Sequence, residues 1–218
     1  MAYSVKAIFH TLQGEGHNAG RSAVFLRFSG CNLWSGRAED RARATGSCGA
    51  WCDTDFAGTD GPGGGRFTTA GELADSVLAC WQTATLAMAS AAPFLVCTGG
   101  EPMLQLDRPL IDALHARGFE IAVETNGTLV VPDDVDWICV SPKAGSALVQ
   151  QSGNELKFVF PQLTLEPDRL VELRFEHFFL QPMDGPRCEE NTRRAVEYCL
   201  KNPRWRLSLQ LHKGLGLP

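Results

Sequence analysis

The sequence predicts an α/β fold, an incomplete TIM-like barrel with mostly parallel strands, and three observations carry that prediction. Short apolar runs alternate with amphipathic helical patterns along most of the chain. Several of those runs are continuously apolar or β-branched, which suits strands covered on both faces. A closed eight-fold barrel usually takes ~250 residues, and the chain has 218.

The runs AVFLRF (23–28), FLVCT (94–98), FEIAVET (119–125), WICVSP (137–142), LKFVF (156–160), HFFLQP (177–182) and RLSLQL (206–211) read as strands. TTAGELADSVLACWQ (68–82) reads as a helix, with a threonine near its start, Glu72 in the first turn, and Leu73, Val77 and Trp81 on one stripe. DRPLIDALHARG (107–118) is a second helix and stops on Gly118. NTRRAVEYCLKN (191–202) is a third, with Val196, Cys199 and Leu200 on one side. The βαβα order implies right-handed crossovers, although connections such as 126–136 are too short for a full helix. GPGGG (61–65) reads as a mobile loop rather than a phosphate cradle, because no strand runs directly into it. With no internal repeat and no linker, the chain reads as a single domain, 1–218.

Composition narrows the function. Apolar residues make up 44% and charged residues 21%, ordinary values for a globular chain large enough to bury a core. A net charge of −5 gives no electrostatic reason to expect nucleic-acid binding. No apolar run approaches the ~20 residues of a membrane span, and MAYSVKAIFHTLQGEG lacks the basic-then-apolar pattern of a secretory signal. A cytoplasmic location is expected. Eight cysteines in such a chain then indicate metal, redox chemistry or burial rather than a disulfide framework.

Cys80, Cys97, Cys139 and Cys199 each sit in an apolar pattern and read as small buried side chains. Cys31, Cys48 and Cys52 do not, since Gly, Ser, Asn and Asp surround them in a loop after a strand. Three thiolates on a four-iron cube would leave one iron open to a further ligand. A zinc site is the competing reading, although catalytic zinc favours histidine and carboxylate, and no histidine lies between Cys31 and Cys52. Plain burial is the third.

This stretch resembles the cluster loop of radical S-adenosylmethionine enzymes. That family commonly spaces its cysteines by three residues and then two, with an aromatic before the last. Here the intervals are sixteen and three, and Trp51 is the aromatic. A subset of the 7-carboxy-7-deazaguanine synthases carries such a long first interval, and Cys52-Asp53-Thr54-Asp55 is similar to its CDT motif. The second interval of three departs from the pattern and bears on Cys48. TLQGEG (11–16), Arg27, TGGEP (98–102), ETNG (124–127), SPK (141–143), QPMDG (181–185) and a terminus at HKGLGLP follow in that family's order, so the resemblance spans nearly the whole chain.

The resemblance implies a cluster-binding loop over 29–56, with Cys31, Cys48 and Cys52 holding a 4Fe–4S cluster. For S-adenosylmethionine it implies Trp51, Cys52, Asp53, Gly99, Gly100, Glu124, Ser141, Pro142, Lys143, Gln181, Pro182, Met183 and Asp184. The paired glycines lack Cβ atoms and would let backbone groups approach the cofactor, though a lone GG is more often a turn. The implied substrate is 6-carboxy-5,6,7,8-tetrahydropterin, contracted to 7-carboxy-7-deazaguanine with loss of ammonia in queuosine biosynthesis, a tRNA modification pathway. Arg27 suits the substrate carboxylate through its planar fork. Leu12, Gln13, Gly14, Glu15, Thr98 and His212 offer donors and acceptors for the ring, and the Pro218 carboxylate is expected to fold over it. Thr54 resembles a Mg²⁺ ligand. The resemblance further implies a homodimer and an external one-electron reductant of flavodoxin or ferredoxin type. No residue is singled out as general acid or base. His10, His17, His115 and His177 read as structural or surface residues. Residues 35–47 carry enough Arg, Ala and Glu for a short helix that returns the chain to Cys48. The alternatives are an activase of glycyl-radical enzymes and a zinc-binding structural or interaction protein.

Overall fold

A computed structural model describes residues 2–45, 48–84 and 92–218. Its strands are β1 (Tyr3–Leu12), β2 (Ser22–Phe28), β3 (Gly65–Phe67), β4 (Phe94–Gly99), β5 (Glu120–Thr125), β6 (Trp137–Val140), β7 (Ser152–Phe160), β8 (Arg174–Pro182) and β9 (Trp205–Leu207). The α-helices are α1 (Ala70–Ala84), α2 (Arg108–His115), α3 (Cys188–Lys201) and α4 (Leu211–Leu215). All nine strands form one sheet in the order β3-β1-β2-β4-β5-β6-β7-β8-β9. From β2 to β9 every pairing is parallel, and β1 runs antiparallel to both neighbours. The seven parallel strands are the seven predicted runs, laid side by side in chain order as in part of a barrel wall.

Two strands escaped the sequence. β1 mixes Lys6, His10 and Thr11 into its apolar positions, and a register shift between Val5 and Ala7 breaks its alternation. β3 is three residues long and exists only through its pairing with β1. GPGGG is not a free loop, which corrects the reading of it as mobile. Ile8 N donates to Pro62 O at 2.7 Å and Gly61 N to Lys6 O at 3.0 Å. A Cβ on Gly64 would lie 2.3 Å from Lys6 O, so the glycines allow backbone to lie on backbone.

Two further readings need correction. RLSLQL is a strand only to Leu207; Ser208 N donates to Leu180 O and the chain then turns into α4. On α3, Val196 is 36% and Leu200 80% exposed, while Asn191 and Ala195 face inward. Tyr198 and Cys199, not Leu200, complete the contact with the β8 and β9 core, because that packing sets the helix phase. By contrast, α2 starts where its residues dictate, with the Asp107 carboxylate accepting from Leu110 N at 3.1 Å.

Successive strand residues point to opposite faces. Outward, Leu26, Leu95, Ile121 and Val123 meet Leu73, Val77, Leu110, Ile111 and Leu114 of α1 and α2. Leu156, Phe158, Phe178 and Leu180 pack with Ala195 of α3 and Trp205 of β9. Inward, Ala23, Phe94, Val96 and Ala122 pack with Phe25 and Trp137. Beyond them, toward the strand C-termini, the inward positions turn polar.

Candidate active site

Alternation places Arg27 on β2, Thr98 on β4, Glu124 on β5, Lys157 on β7 and Gln181 on β8 on the inner face, with Ser141 just past β6. Register aligns them: Arg27 pairs with Thr98, and Val159 with Gln181. They line a cavity of about 270 Å³ at the C-terminal rim, the functional end of parallel α/β barrels. The β1–β2 turn brings Leu12 to Glu15, the loop after β2 adds Cys31, Cys48 and Trp51 to Thr54, and the C-terminal segment adds His212 and Pro218. Gly99, Gly100 and Lys143 also face it. Pro142, Pro182, Met183 and Asp184 do not line it. Pro142 and Pro182 are buried, and Pro142 O accepts from Gln162 Nε2 at 3.0 Å.

The glycine pair has a cause within the chain itself. A Cβ on Gly99 would sit 2.3 Å from Phe28 O, and one on Gly100 2.1 Å from Gly30 O and 2.7 Å from Cys31 Cβ. The pair lets the start of the cluster loop lie directly on the end of β4. Glu101 then ties this to β5: its carboxylate accepts from Thr125 Oγ1 at 2.7 Å, Asn126 N at 2.8 Å and Met103 N at 3.0 Å. Burial raises its pKa even so.

The loop 35–47 holds a 3₁₀ helix, Ala38–Arg43, as its composition suggested; Gly46 and Ser47 lie outside the described residues. Arg41 anchors it, with Nη1 donating to Gly49 O at 2.6 Å and Nη2 to Cys52 O at 3.2 Å. A second turn, Cys48–Ala50, carries Cys52 N onto Cys48 O at 2.7 Å. Cys31, Cys48 and Cys52 thereby join Leu33, Trp34 and Phe56 in one apolar cluster. Burial pushes the Cys48 thiol up to about 11 and the Cys31 thiol upward as well, so thiolates here call for compensating positive charge. Lys143, itself lowered by burial, faces Cys48 and Cys52 and contacts the Trp51 ring at 5.3 Å.

This donor set fits an iron–sulfur cube. Three thiols share one wall of a cavity, an apolar shell covers them, and the remaining side opens to polar groups. Among the described residues no three His, Cys, Asp or Glu side chains are arranged to hold a metal ion.

On the opposite wall the charges are paired. Lys157 Nζ is 2.5 Å from Glu15 Oε2 and 3.1 Å from Glu124 Oε1. Gln13 Nε2 donates to Glu124 Oε1 at 3.0 Å and Gln210 Nε2 to Glu15 Oε1 at 2.9 Å. Burial would push the Glu15 carboxyl up, but Lys157 overrides it and holds it down to about 2. Arg27 is different. Its Nε is buried with no hydrogen-bond partner, and among the described residues it forms no ion pair within 4.0 Å. Asp55, Glu124 and Asp53 lie farther off, and a guanidinium at a cavity wall with no carboxylate within 4.0 Å can take an anion.

Asp53 and Asp55 flank Thr54 but are claimed elsewhere. Lys213 Nζ is 2.5 Å from Asp53 and 2.6 Å from Asp184, and Lys6 Nζ is 2.9 Å from Asp55. Sequence reasoning missed Lys157, Gln210, Lys213 and Glu101. Lys157 left a signal as a charge inside the apolar run LKFVF in phase with Glu155 and Val159, and Glu101 lies within TGGEP.

Parallel strands, a C-terminal rim cavity and a three-thiol loop define a radical S-adenosylmethionine enzyme. No family model matches the chain. Curated relatives do. The chain is 61% identical to a 7-carboxy-7-deazaguanine synthase of Caulobacter vibrioides over 221 aligned residues and 59% identical to one of Bradyrhizobium diazoefficiens over 217, covering 100% of both chains in each case. It also matches a solved structure, the crystal structure of QueE from Escherichia coli, with a TM-score of 0.65 and 26% identity over 97% of this chain and 95% of that one. The chain belongs to the 7-carboxy-7-deazaguanine synthase family.

Proposed function

We propose that the cavity holds the pterin between Arg27 and the Glu15–Lys157–Glu124 wall, with S-adenosylmethionine between the cysteine loop and Ser141, Lys143 and Gln181. The reaction is ring contraction of 6-carboxy-5,6,7,8-tetrahydropterin to 7-carboxy-7-deazaguanine with release of ammonia, in queuosine biosynthesis. The 4Fe–4S cluster and S-adenosylmethionine supply the one-electron chemistry that begins it. Everything else falls to placement by the protein.

The observation that carries this reading is Arg27, whose Nε is buried and unpartnered beside the cysteine loop. A substrate carboxylate would complete it through two charge-assisted bonds. Gln13 and the Leu12 and Gly14 backbone then meet the ring edge. Gly14 has no room for a side chain, since a Cβ would lie 2.3 Å from His212 Nδ1; this packs His212 against the same edge. Trp51 and Lys143 cover the cluster side. Pro142, Pro182, Met183 and Asp184 are assigned a supporting position behind the cofactor.

Mg²⁺ at Thr54 belongs to the same proposal. With Asp53 and Asp55 held by lysines, Thr54 offers one protein oxygen, and Mg²⁺ commonly keeps waters and substrate oxygens for its other positions. We extend the proposal to a homodimer of single-domain chains supplied by a flavodoxin or ferredoxin, working in the cytoplasm. The described helices include none long and apolar enough to cross a membrane. The test is anaerobic turnover of the tetrahydropterin with S-adenosylmethionine, reductant and Mg²⁺. Formation of the deazaguanine with ammonia supports the reading. An intact pterin overturns it.

A further inference from the structure

Lys157 is the buried cation of the cavity wall, at 5% side-chain exposure. Its inward place on β7 follows from alternation with Leu156 and Phe158, which face the outer core. Burying a lone ammonium costs several kcal/mol, and Lys157 offsets this with two carboxylates from different elements, Glu15 of the β1–β2 turn and Glu124 of β5. Each carboxylate has one further donor, Gln210 on Glu15 and Gln13 on Glu124. Two carboxylates provide about eight lone-pair sites, and these four contacts use half of them. The free acceptor capacity belongs to two groups that both line the cavity.

We propose that Lys157 is a positioning residue for substrate: it clamps Glu15 and Glu124 as one fixed pair of acceptors that receives the 2-amino N–H edge of the pterin. The inference rests on the pterin reading above and adds the source of ring specificity. A carboxylate matches adjacent N–H donors in the way it matches a guanidinium. An analogue lacking the 2-amino group would leave buried acceptors unpaired, the kind of mismatch that discriminates strongly. Other charged groups facing Lys157 are Glu155 on its own strand and Lys143 past β6, with the Cys139 thiol on β6; His212 of α4 faces Glu15.

The test compares holoenzyme and its Lys157→Met variant with 6-carboxytetrahydropterin and its 2-deamino analogue, reading kcat and KM separately and product affinity by calorimetry. The expected result is wild-type preference for the 2-amino substrate by at least ~30-fold in kcat/KM, reduced to ~3-fold or less in Lys157→Met. The loss should appear mainly in KM and product Kd, with cluster absorbance unchanged. Undiminished preference in Lys157→Met overturns the proposal. Should Lys157→Met fail to fold, Lys157→Arg keeps the charge and moves its head. Reduced preference at unchanged Tm then supports the clamp, and wild-type KM and preference overturn it. A wild-type enzyme that leaves the 2-amino pterin untouched instead brings down the functional reading itself.

Discussion

The two faces of β7 use burial for opposite ends. Outward, Leu156, Phe158 and Phe160 lie in an apolar core with Ala195 and Trp205. Inward, Glu155 and Lys157 are 3% and 4% exposed and carry charge. Burying a leucine or phenylalanine stabilises the fold by ~1.5–3 kcal/mol. A buried ion pair against a hydrophobic replacement gives little or no net stability. One face of the strand holds the molecule together, and the other arranges chemistry at the cost of some stability.

The largest test of that division is on the cavity side. Cys31→Ala should reduce product formation by more than ~10³-fold, because the cofactor carries the hard chemistry, while circular dichroism shows an intact fold. A stability loss as large as the activity loss would erase the contrast between the faces. On the outer face, Leu156→Ala should destabilise by ~3 kcal/mol and lower Tm by ~6–12 °C, with kcat at low temperature nearly unchanged. Returning inward, Arg27→Met should raise KM for the pterin ~100-fold, the worth of a charge-assisted bidentate contact, and leave Tm unchanged or higher.

A pH experiment sharpens the same comparison. Glu15 is held down to about 2, below the ordinary carboxylate value, so its contribution to stability is present above that ordinary value and lost as pH falls toward 2. Denaturant titrations between about pH 4.5 and 2 should show that loss, on the order of 2 kcal/mol, and Glu15→Gln should flatten it. Glu101 and Glu155, raised by burial, act in the opposite direction and gain stability on protonation. The smallest effect belongs to the exposed Lys213 pairs. Lys213→Met should cost less than ~1 kcal/mol, with faster amide exchange confined to 208–217.

Legibility in the sequence follows the same line. The seven parallel strands could be read because covered strands demand continuous apolar residues, as in FLVCT and LKFVF. β1 could not, since its alternation is broken and its partner β3 is three residues long. The wrong stripe on α3 has a related cause: Leu200 looks like a core residue, but helix phase depends on what the helix packs against. Cavity-lining residues in compact motifs, such as Thr98 to Gly100 of TGGEP and Ser141 and Lys143 of SPK, announced themselves. Gln210 did not, and Lys157 showed only as a charge inside an apolar run, because neither belongs to a motif and their partner Glu15 lies 195 and 142 positions away.

By itself the sequence determined the strand run, the order of the rim motifs and the grouping of three thiols in the loop after β2, since each rests on local pattern or near-neighbour spacing. Only tertiary structure decided which charges meet. The ion pairs of Lys157, the unpartnered Arg27 Nε and the place of His212 and Pro218 at the cavity depend on sheet register and on which face each strand presents. Those are set by long-range pairing, where a shift of one residue would turn every inward charge outward.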